Sequence, residues 1–133
     1  NAKLLISKDG SQKEVDLGAS TMPQDGKNVV TFYDDFAYVT LGSNGLVVVN
    51  LKTFEVVDKY KPETPGLTNG VAVDKDFIYL ANGESGLLLL RRGTLEYYGQ
   101  YKYNGSANSV EVFDNVILIA NGVGGVKLLL RTE

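Results

Sequence analysis

Three copies of one segment fix what this chain can fold into. Phe36-Ala37-Tyr38-Val39-Thr40-Leu41-Gly42-Ser43-Asn44-Gly45-Leu46-Val47-Val48-Val49 returns as Phe77 to Leu90 and again as Val116 to Leu129, at offsets of 41 and 39 residues. Each copy is an apolar run, a Gly-x-x-Gly turn and a second apolar run. The glycine pairs are Gly42/Gly45, Gly83/Gly86 and Gly122/Gly125. Upstream lies another apolar run in every copy: Val29–Phe32, Val71–Val73 and Val110–Phe113. Acidic turns join it to the next: Asp34-Asp35, Asp74-Lys75-Asp76 and Asp114-Asn115. Asp and Asn suit such turns because their side chains accept from nearby backbone N–H groups and tolerate left-handed dihedrals.

Downstream, Phe54–Tyr60 and Leu95–Tyr103 supply a fourth run. Each unit therefore predicts four short antiparallel strands, A to D, and no stretch keeps a 3.6-residue period. A period near 40 residues made of such units predicts an all-β fold of β-propeller blades. B and C are near-continuously apolar, as expected of strands covered on both faces.

The expected organisation is one propeller part over 1–133. Strands C and D of a blade fall in 1–20, full blades in 28–61 and 69–103, and strands A, B and C of a last blade in 109–131. Leu4-Leu5-Ile6-Ser7 aligns with Val47-Val48-Val49-Asn50 on this reading. Just over three blades make an incomplete ring, since propellers typically have four to eight. The expected partner is the remainder of the ring: upstream sequence, a second polypeptide or further copies of the chain. Missing sequence before Asn1 and a genuine terminus at Glu133 are the preferred expectation.

Composition narrows the function classes. Cysteine and histidine are absent, which removes thiolate and imidazole metal sites and the usual nucleophile–imidazole pairs. No cofactor or metal is expected. The net charge of −3 gives no footprint for nucleic acid. The apolar runs, Leu87–Leu90 among them, are all too short for a membrane-spanning helix, and no membrane insertion is expected.

Asn28, Asn69 and Asn108 precede strand A at equal repeat positions, beside the Gly-x-x-Gly turns. They form a candidate amide ring for a polar ligand or an ion, or else they tie down the loop backbone. Asn82 and Asn121 end strand B on that same side, with Glu84 and Ser85 in the adjacent turn. Glu111 interrupts an apolar inner strand where Thr31 and Ala72 stand in the other copies, so it must be paired or wet. Tyr97, Tyr101 and Tyr103 alternate onto one side of an outer strand, with Tyr98 opposite. Such a row stacks sugars or partner surfaces, or simply packs.

Asn69-Gly70-Val71-Ala72-Val73, Asp76-Phe77-Ile78-Tyr79-Leu80-Ala81-Asn82-Gly83 and Gly86-Leu87-Leu88-Leu89-Leu90 together resemble the LVIVD-repeat family of bacterial and archaeal β-propellers. The resemblance spans about 28–131. Asn50 and Arg91 stand where that family carries an aspartate after strand C. The resemblance implies a secreted, periplasmic or cell-surface protein, and no reaction. Two function classes follow. One is a non-catalytic scaffold that binds protein or glycan. The other is a carboxylate-based glycan hydrolase or lyase, which needs two acids about 5–10 Å apart across a cleft. A homo-oligomeric ring binding a small polar ligand at its channel is a further alternative.

Overall fold

The computed structural model describes residues 2–19 and 27–132; the expectations at Asn1, at residue 20 and at Glu133 lie outside the described residues. Thirteen strands are present among the described residues: β1 (Lys3–Lys8), β2 (Ser11–Asp16), β3 (Asn28–Tyr33), β4 (Phe36–Leu41), β5 (Leu46–Asn50), β6 (Glu55–Tyr60), β7 (Gly70–Val73), β8 (Phe77–Ala81), β9 (Leu87–Arg91), β10 (Tyr97–Tyr101), β11 (Ser109–Phe113), β12 (Val116–Ala120) and β13 (Val126–Leu130). The only helical turn among the described residues is 3-10, over Gly122–Gly124 in the third Gly-x-x-Gly hairpin.

The strands pair with their sequence neighbours, all antiparallel. They form four sheets: β1-β2, β3-β4-β5-β6, β7-β8-β9-β10 and β11-β12-β13. The A strands β3, β7 and β11 lie side by side, and the sheets fan out from them as blades. The architecture is that of β-propeller blades, and the ring is not closed.

Alternation sends each strand's side chains to two neighbouring blades. Tyr38, Leu46 and Val48 of the second sheet pack on Val71, Ile78, Leu80, Leu88 and Leu90 of the third. The third sheet's opposite face, with Phe77, Tyr79, Leu87 and Leu89, packs on Val110, Ile117 and Ile119. A third layer joins Leu4, Ile6, Val15 and Leu17 to Ala37, Val39, Val47 and Val49. Burial of one such Leu or Ile is worth about 1.5–3 kcal/mol, so these three layers are the main cohesive force between sheets.

That last layer corrects the sequence alignment at the first sheet. Leu4 and Ile6 face forward onto the second sheet, as Leu46 and Val48 face the third. Equating Leu4 with Val47 would turn them away, because a one-residue slip exchanges the two faces of a strand.

The continuous burial of β4, β5, β8 and β9 follows from cover on both sides. β13 alternates instead, with Val126, Leu128 and Leu130 well exposed. These occupy the repeat positions of Leu87, Leu89 and Arg91, and Leu87 and Leu89 are buried.

The tyrosine row is also rearranged. β10 slips register against β9 between Tyr97 and Gly99. The extra residue of that bulge reverses the parity of the strand's first part. Tyr98 and Tyr101 therefore share one groove, while Tyr97 lines another with Tyr60 and Leu88.

The second glycine of each hairpin is a steric requirement where a D strand is present. Gly45 and Gly86 have φ of 78° and 79°, and a Cβ on either would lie 2.2 Å from the carbonyl oxygen of Tyr60 or Tyr101. Gly93, in a C–D turn at φ 98°, has nothing near its virtual Cβ. Gly86→Ala is therefore expected to cost about 3 kcal/mol or more, combining strain with displaced backbone, and Gly93→Ala about 1 kcal/mol from φ alone. Urea unfolding midpoints of the two variants check this; equal losses would remove the steric role of the D-strand carbonyl.

Candidate functional site

The two rims of the blade stack are built from different chemistry. On one rim, the Gly-x-x-Gly turn of a blade bridges to the loop entering the next. Gly42 and Thr68 exchange backbone bonds of 3.1 and 3.0 Å; Gly83 and Ala107 exchange bonds of 2.9 and 2.8 Å. The candidate asparagines sit here. The Asn69 and Asn108 N–H groups donate to the Ala81 and Ala120 carbonyls, each at 2.8 Å. The Asn82 side chain is fully buried and its Oδ1 accepts from the Thr68 hydroxyl at 2.6 Å. Asn121 is buried at the equivalent place.

Gly66 and Gly105 of the entering loops pass so close to the Asn82 and Asn121 carbonyl oxygens that a Cβ would lie 2.3 and 2.1 Å away. Asn82 Nδ2, Asn121 Nδ2 and Asn69 Oδ1 are buried and have no hydrogen-bond partner among the described residues. Asn28 is exposed at the start of β3, and Glu84 is exposed in its turn. The neighbouring Ser85 hydroxyl donates to the Pro65 carbonyl, and its own carbonyl accepts from Gln100 Nε2 at 2.7 Å.

Along the A strands runs a cleft of about 420 Å³ walled by β3, β7 and β11. Glu111 lines it and is exposed, at the repeat position of Thr31 and Ala72. Water on the open side meets the solvation need of its carboxylate. None of the candidate asparagines lines this cleft. The asparagines and Glu111 are therefore not brought together into one site.

The opposite rim carries an arrangement that the repeat reading had not singled out. Arg92 and Arg131 follow strand C at equal positions, and each donates its backbone N–H to the A–B turn of its own blade, to Asp76 and Asn115 carbonyls at 3.0 and 2.6 Å. Their side chains cross to the preceding blade. Arg131 donates to Asp74 Oδ2 at 2.9 Å and to Asp76 Oδ2 at 2.8 Å, with its guanidinium 4.8 Å from the centre of the Phe77 ring. Arg92 lies 4.6 Å from the Tyr33 ring centre and 3.7 Å from Asp34 Oδ2. The long, exposed Asp34 contact adds little, whereas Arg131 engages two carboxylates in a partly buried setting. The sequence signal was available: the arginines recur 39 residues apart, opposite the acidic turns.

Asp74 is the hub of this cluster. Its Oδ1 accepts from the Asp76 and Phe77 N–H groups at 2.9 and 2.8 Å, and its Oδ2 accepts from the buried Tyr79 hydroxyl at 2.6 Å. Burial alone would raise the Asp74 pKa. The bonds from Tyr79, Phe77 and Asp76, with the Arg131 charge, outweigh it and hold the carboxyl below its ordinary value. The Tyr79 phenol is pushed well up, first by burial and then by Asp74.

Beside this cluster, between the third and fourth sheets, opens a groove of about 330 Å³ lined by Phe77, Arg91, Tyr98, Tyr101, Leu129 and Arg131, among others. The Phe77 and Tyr98 ring centres are 4.7 Å apart, and the Arg91 guanidinium lies 4.8 Å from Tyr98 and 5.8 Å from Phe77. Arg91 forms no ion pair among the described residues, so its charge faces the groove mouth against aromatic rings. Its counterpart Asn50 does something else: Oδ1 accepts from Lys52 and Thr53 N–H and closes the C–D turn. Among the described residues no group of three or more Asp and Glu side chains is placed to hold a metal ion.

These features define a β-propeller blade stack, and comparison with solved structures agrees. The computationally designed Ika4 protein superposes with a TM-score of 0.70 at 11% identity, over 92% of this chain and 74% of that one. The Cps50 (Swd1) β-propeller domain of Myceliophteria thermophila gives 0.67 at 16% identity, over 86% of this chain and 38% of that one. A putative exported protein from Bacteroides fragilis gives 0.54 at 13% identity, over 99% and 42%. The chain thus spans less than half the length of these two natural chains. No family model and no curated protein sequence matches it.

The depressed Asp74 pKa sets a pH dependence. A carboxyl with a folded pKa below its unfolded one stabilises the fold above the unfolded value, and this contribution is lost as pH falls toward the folded value. Wild-type stability is therefore expected to drop below about pH 4 more steeply than that of Asp74→Asn. Thermal midpoints from pH 7 to 3 check this; parallel curves would show that Asp74 is not the titrating group.

Proposed function

We propose that the chain is a non-catalytic repeat module, a scaffold that binds protein or glycan through the aromatic groove between its third and fourth sheets. One observation carries the reading. The acids that could serve carboxylate chemistry, Asp74 and Asp76, are both engaged by Arg131, while Tyr98, Tyr101 and Arg91 are exposed beside them in the groove. Exposed tyrosines next to an arginine make the kind of surface on which binding energy concentrates. A general acid needs a raised pKa, and Asp74 is shifted the other way.

The LVIVD-like repeat pattern supports membership of that family and, with it, action outside the cytoplasm. The remainder of the ring, from further sequence, a second polypeptide or further copies, is the expected neighbour of the exposed Val126, Leu128 and Leu130. Fractionation of cells expressing a tagged full-length protein checks the location, which cytosolic recovery would overturn.

The scaffold reading is tested by tyrosine fluorescence titration with neutral and acidic oligosaccharides and with peptides, alongside turnover assays on aryl glycosides. Saturable binding weakened at least tenfold by Tyr98→Ala, without turnover, is expected. Hydrolysis abolished by Asp74→Asn would establish the carboxylate enzyme instead.

A further inference from the structure

The repeat is not uniform where the fourth strand of one blade hands over to the first strand of the next. The loop from Tyr60 to Gly66 is two residues longer than its counterpart from Tyr101 to Gly105, which is why the two offsets are 41 and 39. It reads Lys61-Pro62-Glu63-Thr64-Pro65, against Lys102-Tyr103-Asn104 at the next junction. Its two prolines fix φ on either side of the extra residues and hold them in place. The far end is tied down by the Ser85 hydroxyl, which donates to the Pro65 carbonyl.

This longer loop closes one side of a pocket of about 410 Å³ between the second and third sheets, both of which have all four strands. Tyr60, at the end of β6, and Tyr97, at the start of β10, line it over the buried Leu88; Lys61, Glu63 and Thr64 complete it. The bulge between Tyr97 and Gly99 brings Tyr97 to this side, where its ring is half exposed. Glu63 is exposed and forms no ion pair among the described residues. Its charge reaches the Tyr60 phenol: burial first, and then Tyr97 and Glu63, push that phenol up, and Lys61 does not offset them.

Two aromatic rings and a carboxylate above an apolar floor suit an organic cation. The ring faces attract the charge, the carboxylate pairs with it, and the floor covers the attached methylene groups. The next junction shows such a cation supplied by the chain itself. The repeat counterpart of Leu88 is Lys127, whose ammonium lies 6.0 Å from the centre of the Tyr103 ring. Between the second and third sheets the lysine is replaced by leucine, and the extra loop residues bring an acid instead.

We propose that the pocket of Tyr60, Glu63 and Tyr97 binds an ammonium or guanidinium group. A lysine or arginine side chain of a partner protein carries such a group, and so does a small free amine. A neutral ligand would leave the Glu63 charge unmatched beside two phenols. This pocket is separate from the groove beyond the third sheet and does not depend on what binds there.

The test follows the backbone amide resonances of the isotope-labelled full chain. The probes are butylammonium and methylguanidinium as bare cations, N-acetyl-lysine amide and N-acetyl-arginine amide as protein side chains, and methyl glucoside as the neutral control. Saturable shifts at Glu63, Thr64 and Leu88 are expected with the cations and not with the glucoside. Glu63→Gln and Tyr97→Ala should each weaken cation binding by about threefold or more. Both positions are exposed, and thermal midpoints confirm that the variants fold. Blocked amides that bind as well as the bare cations identify a protein side chain as the ligand; bare cations that bind far better identify a free amine. No shift with any cation, equal shifts with the glucoside, or binding unchanged in either variant overturns the proposal.

Discussion

Face-to-face packing of apolar sheets is the constraint on which the rest depends. No single sheet of four short strands can bury both of its faces, and the third sheet is apolar on both. Ile78 and Leu80 belong to one interface and Tyr79 and Ala81 to the other, all essentially inaccessible. A strand with this sequence is stable only between two other sheets. The Gly-x-x-Gly turns, the acidic turns and the cross-blade arginines then fix how one sheet meets the next, with energies much smaller than that of the layers themselves.

The junctions are pinned at both rims by unlike means. Backbone bridges at Gly42–Thr68 and Gly83–Ala107 hold one rim. They depend on positive-φ glycines and are insensitive to salt or pH. The arginines hold the other, and there the strength varies from junction to junction: Leu51, Arg92 and Arg131 occupy one repeat position and donate the same backbone bond, yet only Arg131 engages two carboxylates. The first junction has an apolar leucine packed into its layer instead. Repetition of the backbone thus leaves side chains free to diverge on the arginine rim, where the open groove also lies.

The blade order, the hairpins and the absence of long helix were legible because period-2 apolar runs, turn residues and a 40-residue repeat all point the same way. Two misreadings concern parity. Nothing in Lys3-Leu4-Leu5-Ile6 says which face each residue takes when all neighbours are apolar, so the alignment slipped by one. The bulge at Tyr97–Gly99 inserts a residue without a sequence mark beyond the glycine itself, so the tyrosines changed sides. Glu111 is expected to be paired or wet because it interrupts an apolar strand, and the cleft along the A strands admits water to it. The arginine contacts were missed for a different reason. They join residues of different repeat copies, and an alignment of copies onto one another hides contacts between them.

The two outer faces of the stack are chemically unequal, and this gives the stack a direction. The outward face of β1 and β2 carries Lys3, Ser7, Gln12, Glu14 and Asp16, with a 3.2 Å pair between Lys3 and Glu14 and only Leu5 apolar among them. The outward face of β11, β12 and β13 carries Ser109 and Glu111 on its inner strand, and Phe113, Leu118, Val126, Leu128 and Leu130 over the rest. Water is a tolerable neighbour for the first and a poor one for the second. Three residues of the second face, Leu118, Val126 and Leu128, have as counterparts Tyr79, Leu87 and Leu89, which are buried against a blade. Cover is therefore demanded at the β13 end, where a sheet in the same register would find the apolar surface that the third sheet offers to the fourth. A symmetric closure joining the two outer faces would press leucines onto charged side chains and lose that match, so the demand is better met by a surface that is itself apolar.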